Sequence, residues 1–190
     1  MPGSIGPAAP NTECRIVDAA TDEEVGAGEP GELCIRGPQV MKGYLNNPQA
    51  TARSIDADGW FHTGDVARLD TDGSLWIVDR IKELIKYKGY QIAPAELEAL
   101  LLTHPAISDT AVIPVRDEEA GEIPKAFVVA DDPGSVTAEE VMRFVAERVA
   151  PYKKVRIVEI VEEIPKSPSG KILRRVLIDR ERERASVASD

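Results

Sequence analysis

The stretch Trp76–Gln91, WIVDRIKELIKYKGYQ, separates two differently patterned halves of the chain. A strand-like run ends at Asp79-Arg80, and Arg80, Lys82, Lys86 and Lys88 then crowd together. The 190-residue chain carries a formal charge of −10 overall. A local positive field on an acidic background suits an anionic ligand, because it attracts phosphate where the net charge would repel it. Lys82 and Lys86 would share a face in a helix, and Lys86 and Lys88 would share one in a strand. Edge strands also carry lysine to block unwanted pairing. From pattern alone, a solvated basic edge explains these lysines better than a ligand site.

Upstream, Glu13–Val17 and Glu32–Arg36 read as short strands around a turn-rich segment. Residues 47–53 (NPQATAR) predict one or two helical turns, with Pro48 at the first position. Asp65–Leu69 and Ser74–Val78 flank Asp72-Gly73, a strong hairpin signal. Downstream the period changes. Pro94–Thr103 places Leu97, Leu100 and Leu101 on one helical face, and Ser108–Val115 and Ile123–Ala130 are apolar strands. Thr137–Val149 opens with a Thr137/Glu140 capping box, Val155–Val161 alternates as a strand, and a last helix begins near Ile172. The expected fold class is therefore α+β. A small, mostly β unit spans residues 1–79, and a compact α+β domain with a small central sheet flanked by helices spans 80–190. The tail from about residue 181 reads as disordered and solvated.

Composition narrows the function classes. The hydrophobic fraction of 43% and charged fraction of 29% are those of an ordinary globular protein. No apolar run approaches the ~20 residues that span a bilayer. The acidic balance argues against general nucleic-acid or membrane binding. The opening MPGSIGPAAP has no basic start and no apolar core, so no secretory signal is expected. Cys14 and Cys34 are too few for a disulfide framework or a metal site and read as buried strand thiols in a reducing cytoplasm.

Three places could carry chemistry. Thr63-Gly64-Asp65 puts a carboxylate beside a glycine at a strand start, where it could accept from sugar hydroxyls, although on pattern alone an ordinary turn explains it better. The basic run is the second. The third is Pro165–Lys171, PKSPSGK, a Pro/Ser/Gly-rich loop before a helix that ends in an ammonium group. Loop amides, a helix N-terminus and a lysine together suit phosphate or carboxylate, and a capped turn is the even alternative. The loop lacks Walker spacing. His62 and His104 read as a loop histidine and a helix-end histidine, and no metal-ligand spacing stands out.

Four motifs occur together and in order: GELCIRGPQVMKGYLNNPQAT, GWFHTGD, DGSLWIVDRIKELIKYKGYQIAPAELEALL and PKSPSGKILRR. Together they resemble the adenylate-forming superfamily of acyl-CoA synthetases, luciferases and adenylation domains, most of all its 4-coumarate–CoA ligase branch. The resemblance runs from about Gly3 to Leu177. It implies an ATP-dependent acid–CoA ligase that forms an acyl-adenylate and pyrophosphate, after which the CoA thiol displaces AMP. ATP with Mg²⁺ and CoA are the implied co-substrates, none of them tightly held by this chain, and a small carboxylic acid is the third reactant.

The implied roles fall on particular residues. Asp65 and Arg80 bind the nucleotide. Lys171 sits between the acid and the α-phosphate, stabilising the charge that develops there. Lys82 is the hinge of a rotating small domain, Lys86 and Gln91 approach the adenylate, and Lys88 and Gly89 lie where CoA binds. The resemblance also implies a departure. The phosphate-binding loop, adenine pocket and acid pocket belong to a large N-terminal domain, and this chain has none of their motifs. Residues 1–79 then correspond to the end of that domain and 80–190 to the whole small domain, and catalysis by this chain alone should be negligible. A luciferase-like oxygenase and a non-catalytic partner that completes a split ligase are the competing readings. A peptide-synthetase adenylation domain fits less well, because the hinge position holds Lys82 rather than Asp.

Overall fold

The computed structural model describes residues 4–187, and the chain divides into two compact units, Met1–Lys82 and Glu83–Asp190. The division falls at Lys82 rather than at Asp79.

The first unit is an antiparallel sheet of β1 (Glu13–Val17), β2 (Gly31–Arg36), β3 (Phe61–Leu69) and β4 (Leu75–Arg80), in that order. Alternation puts Ile16, Leu33, Ala67 and Leu75 together in the core on one face. Asp72 tightens the β3–β4 turn by accepting from the Ser74 N–H at 3.0 Å. A short helix, α1 (Pro48–Ser54), starts where Asn47 accepts from the Ala50 N–H at 3.0 Å. The departure from expectation is in β3, which begins at Phe61 and bulges. Cys34 pairs with His62 and Glu32 with Val66, so Thr63, Gly64 and Asp65 together oppose only Leu33. Gly64 allows this with φ +71°, and the Thr63 hydroxyl donates to the Leu33 carbonyl at 2.8 Å.

The second unit contains β5 (Ile85–Tyr87), β6 (Tyr90–Ile92), α2 (Pro94–Leu101), β7 (Ile107–Asp117), β8 (Gly121–Ala130), α3 (Ala138–Ala146), β9 (Ile157–Ile160) and α4 (Arg174–Val187). Its five-stranded sheet runs β6-β5-β8-β7, with β9 parallel to β8. The near-continuous apolar runs of β7 and β8 are explained by burial on both faces. Val112, Ala126 and Val128 pack with Leu97 and Leu101 of α2 and Val141 and Val145 of α3. The intervening Ala111, Ile113 and Phe127 pack with Ile164 and with Leu177 of α4. The α+β class and the helix-flanked sheet are as the sequence reads. The Thr137/Glu140 capping box forms, with both reciprocal bonds.

Two expectations change. The lysine-rich run after the 3-10 turn Ile81–Glu83 is neither a helix nor one strand but a hairpin, with Lys88 and Gly89 at its tip. The tail does not fray at residue 181: helix α4 continues to Val187, and Glu181 bonds the buried Lys125 ammonium at 2.8 Å. Residues 188–190 of that expected tail lie outside the described residues.

Candidate functional site

In the first unit, the β3 bulge aims Asp65 across to β4. Asp65 and Arg80 are cross-strand partners, and the Arg80 Nε lies 3.1 Å from the Asp65 carboxylate. Both stay partly open to solvent, so each keeps capacity for a ligand. The bulge is braced from below, because Glu32 Oε1 accepts the Gly64 N–H at 3.0 Å and Thr63 Oγ accepts the Asp65 N–H at 3.1 Å. A cleft of about 440 Å³ opens here, lined among others by Thr63, Gly64, Arg80 and Lys82. A carboxylate that accepts hydroxyls beside a guanidinium suits a sugar next to a phosphate.

In the second unit, Lys86 and Gln91 are directly opposite each other in the β5–β6 hairpin and both are exposed. Cross-strand partners point to the same face, so an ammonium and an amide stand side by side. The opposite face carries Ile85 and Ile92, both fully buried, which fixes the hairpin against the core. The Lys86 N–H donates to Glu122 Oε2 at 2.8 Å, replacing a ladder bond where β5 meets β8 at a single pair. At the tip, Lys88 has φ +46° and Gly89 φ +84°, the two positive values of a type I′ turn. Lysine is costly there, since a Cβ crowds its own backbone at positive φ. Beside the tip, Tyr90 stacks on Tyr152 with ring centroids 4.5 Å apart. Arg156 lies over Tyr87 and donates to its hydroxyl at 3.1 Å, which holds that phenol below its ordinary range.

Lys171 is exposed at the end of a separate turn. Lys166 and Ile172 form an isolated bridge, and the Ser167 N–H donates to the Lys171 carbonyl at 2.8 Å. Ser167 Oγ accepts the Lys171 N–H at 3.2 Å, and Gly170 takes φ +81°. The helix starts only at Arg174, so Lys171 is not at a helix N-terminus as the sequence suggests; the turn closes on itself first. Immediately after it, Arg174 donates to Glu83 at 2.8 Å and to Glu98 at 2.6 Å, and Glu98 also accepts the Val112 N–H at 2.8 Å. This partly buried charge joins the loop to the residue that follows Lys82. Glu98 carries no sequence signal for this role, being one of two glutamates in a helix whose stripe is leucine.

The structure thus pairs Asp65 with Arg80 and Lys86 with Gln91, places Lys88 and Gly89 on one turn, and holds Lys171 on another. His104 accepts the Ala106 N–H beyond the end of α2. His62 has richer surroundings: its Nδ1 lies 3.1 Å from Glu32 and 3.4 Å from the Cys34 sulfur. Burial and the Glu32 charge push the Cys34 thiol up to about 11.

Residues 96–171 match the model of the AMP-binding enzyme C-terminal domain, and residues 1–45 match that of the AMP-binding enzyme. The chain belongs to the adenylate-forming, AMP-binding enzyme family. Within this family it is 57% identical over 175 residues to the 4-coumarate–CoA ligase of Vanilla planifolia, an alignment covering 92% of this chain and 32% of that protein. The 4-coumarate:CoA ligase 1 of Petunia hybrida matches with the same identity and coverage. Among solved structures of adenylate-forming enzymes, ATP-bound MatB from Rhodopseudomonas palustris is 32% identical, with a TM-score of 0.87 over 93% of this chain and 35% of that one. MenE from Bacillus subtilis, in complex with the acyl-adenylate OSB-AMP, is 35% identical, with a TM-score of 0.81 over 92% of this chain and 35% of that one. The chain spans about a third of the length of these relatives.

Proposed function

We propose that this chain is the C-terminal part of an ATP-dependent carboxylic acid–CoA ligase of the 4-coumarate–CoA ligase type. The complete enzyme converts acid, ATP and CoA into acyl-CoA, AMP and pyrophosphate through an acyl-adenylate. The observation that carries this reading is the cross-strand Lys86/Gln91 pair beside the Lys88-Gly89 tip, on a unit that matches the family's C-terminal domain.

Asp65 holds the ribose hydroxyls, and Arg80, bonded to it, steadies the nucleotide. Lys171 lies between the acid and the α-phosphate and neutralises charge as adenylation proceeds. Lys82 is the hinge. Lys86 and Gln91 meet the adenylate, and Lys88 and Gly89 border the CoA path. ATP enters with Mg²⁺, and both ATP and CoA are consumed rather than retained. The partner is the N-terminal part of the ligase, which supplies the phosphate loop and acid pocket. A cytoplasmic setting fits Cys14 and Cys34, which are both free thiols. No helix among the described residues is long and apolar enough to cross a membrane.

The test is reconstitution. The purified chain alone should give pyrophosphate exchange at the blank level with 4-coumarate or benzoate. Addition of the N-terminal part of a 4-coumarate–CoA ligase should restore thioester formation. Exchange by the chain alone, well above blank, would contradict the proposal. So would a folded mixture that binds ATP but forms no thioester with any of the acids that the N-terminal donor accepts.

A further inference from the structure

On the polar face of the first sheet, opposite its apolar core, three potential metal ligands converge from two strands. Glu32 and Cys34 are two apart on β2 and so point the same way, and Cys34 is paired in register with His62 on β3. The ligand atoms of all three lie within 4.8 Å of one another. Tetrahedral zinc has Zn–N near 2.0–2.1 Å and Zn–S near 2.3 Å, which separates N from S by about 3.5 Å and N from O by about 3.3 Å. The observed values, 3.4 Å for His62 Nδ1 to Cys34 Sγ and 3.1 Å for Nδ1 to Glu32 Oε2, already match that geometry.

The surroundings fit as well. The other imidazole nitrogen, Nε2, faces Asp56 at 3.7 Å, the arrangement in which a carboxylate orients a metal-bound histidine. Arg15 is the nearby cation, and it is engaged by Asp56 at 3.4 Å and Asp22 at 3.7 Å while lying over Trp60. Counting Glu32, Asp56 and Asp22 against Arg15, the cluster carries two uncompensated negative charges with the Cys34 thiol protonated and three once it ligates as the thiolate, a field that favours a dication. One sulfur, one imidazole and one carboxylate suit a borderline-soft ion and not magnesium or calcium, which take oxygen ligands.

We propose that Glu32, Cys34 and His62 form a binding site for a zinc-type divalent cation, with Asp56 orienting His62 and the fourth position left to water. Glu32 serves two ends. Its Oε1 holds Gly64 of the bulge while Oε2 faces the ion, so occupancy stiffens the segment that presents Asp65. The site adjoins the proposed nucleotide-binding segment, but its test reads metal binding alone and does not depend on the proposed ligase chemistry.

Cobalt(II) titration of the purified chain tests it. One equivalent should give intense tetrahedral visible bands and a near-ultraviolet thiolate-to-cobalt band. Cys34→Ser should abolish the thiolate band. Cys14→Ser should keep it, because Cys14 faces the apolar core. His62→Gln should weaken affinity at least about 10-fold, the scale on which metal-site partners act. Zinc should raise the melting temperature of the wild type and of Cys14→Ser but not of Cys34→Ser. Proton release on zinc binding, measured calorimetrically in two buffers, reads thiolate ligation on the wild type alone and needs no variant to fold. A cobalt spectrum that stays octahedral, a thiolate band that survives Cys34→Ser, or zinc binding without proton release would overturn the assignment.

Discussion

The two lysine-bearing turns of the second unit are held by different forces. The β5–β6 hairpin is anchored by apolar packing: Ile85 and Ile92 are fully buried on one face, which leaves Lys86 and Gln91 fixed on the other. The Pro165–Lys171 turn has short-range bonds of its own and, beyond Ile164 and Ile172 at its ends, is tied down by charge, through Lys166 to Asp109 at 2.6 Å and through Arg174 between Glu83 and Glu98. One turn therefore inherits the rigidity of the core, which is close-packed. The other depends on an ion network whose strength rests on every partner being present.

That contrast can be broken from either side. The largest effect should come from Ile92→Ala, at about 2–5 kcal/mol for a large-to-small change in a packed core, read by chemical denaturation of the second unit. Arg174→Met should cost less, about 3 kcal/mol or below, because Glu83 keeps some access to solvent and the buried Glu98 still accepts the Val112 N–H. Its signature should be selective: hydrogen exchange should quicken in residues 165–173 while the β5–β6 hairpin stays protected. Equal loosening of both turns would show that they share one anchor.

The turns differ in backbone as well. Gly170→Ala should destabilise by roughly 1–2 kcal/mol, since alanine at φ +81° crowds its own backbone although nothing else touches the added methyl. Lys88→Asn should work the other way and stabilise by about 0.5–1 kcal/mol, because asparagine tolerates the left-handed region that lysine resists. If Lys88→Asn raises the melting temperature while weakening thioester formation in the reconstituted ligase, the strain is maintained for function. The smallest effect concerns pH. Burial raises the Glu159 carboxyl, but its bonds to Lys125 and Arg184 outweigh that and hold it below 4.5. A depressed carboxylate stabilises the fold above its ordinary range and loses that contribution as pH falls through the folded value. Acid unfolding of Glu159→Gln should therefore show a shallower slope below pH 4.5 than the wild type.

Much of the frame was legible in the sequence because it rests on periodicity. The strand Glu13–Val17, the α2 stripe and the Thr137 capping box follow from local pattern and local bonds. The β5–β6 hairpin was hidden by its lysines, although Ile85 and Tyr87 alternate on one side of the turn and Tyr90 and Ile92 follow it. The usual Asn-Gly or Asp-Gly signal is replaced by Lys88-Gly89. What no single stretch could reveal is contact between distant charges. Arg174 with Glu98, Lys125 with Glu181, and His62 with Cys34 lie 76, 56 and 28 positions apart, and only the sheet registers and helix docking bring them together. The polar end of α4 read as a solvated tail for the same reason: its glutamate and arginine find their partners across the fold.

The central claim is that the two turns serve successive half-reactions, and the direct measurement separates those steps in the reconstituted ligase. Lys171→Ala should slow adenylation by about 10²–10³-fold, the scale of one lost charge-stabilising donor, while thioester formation from preformed acyl-adenylate stays near wild type. Lys86→Ala should do the reverse. Equal losses in both half-reactions for both variants would contradict the account.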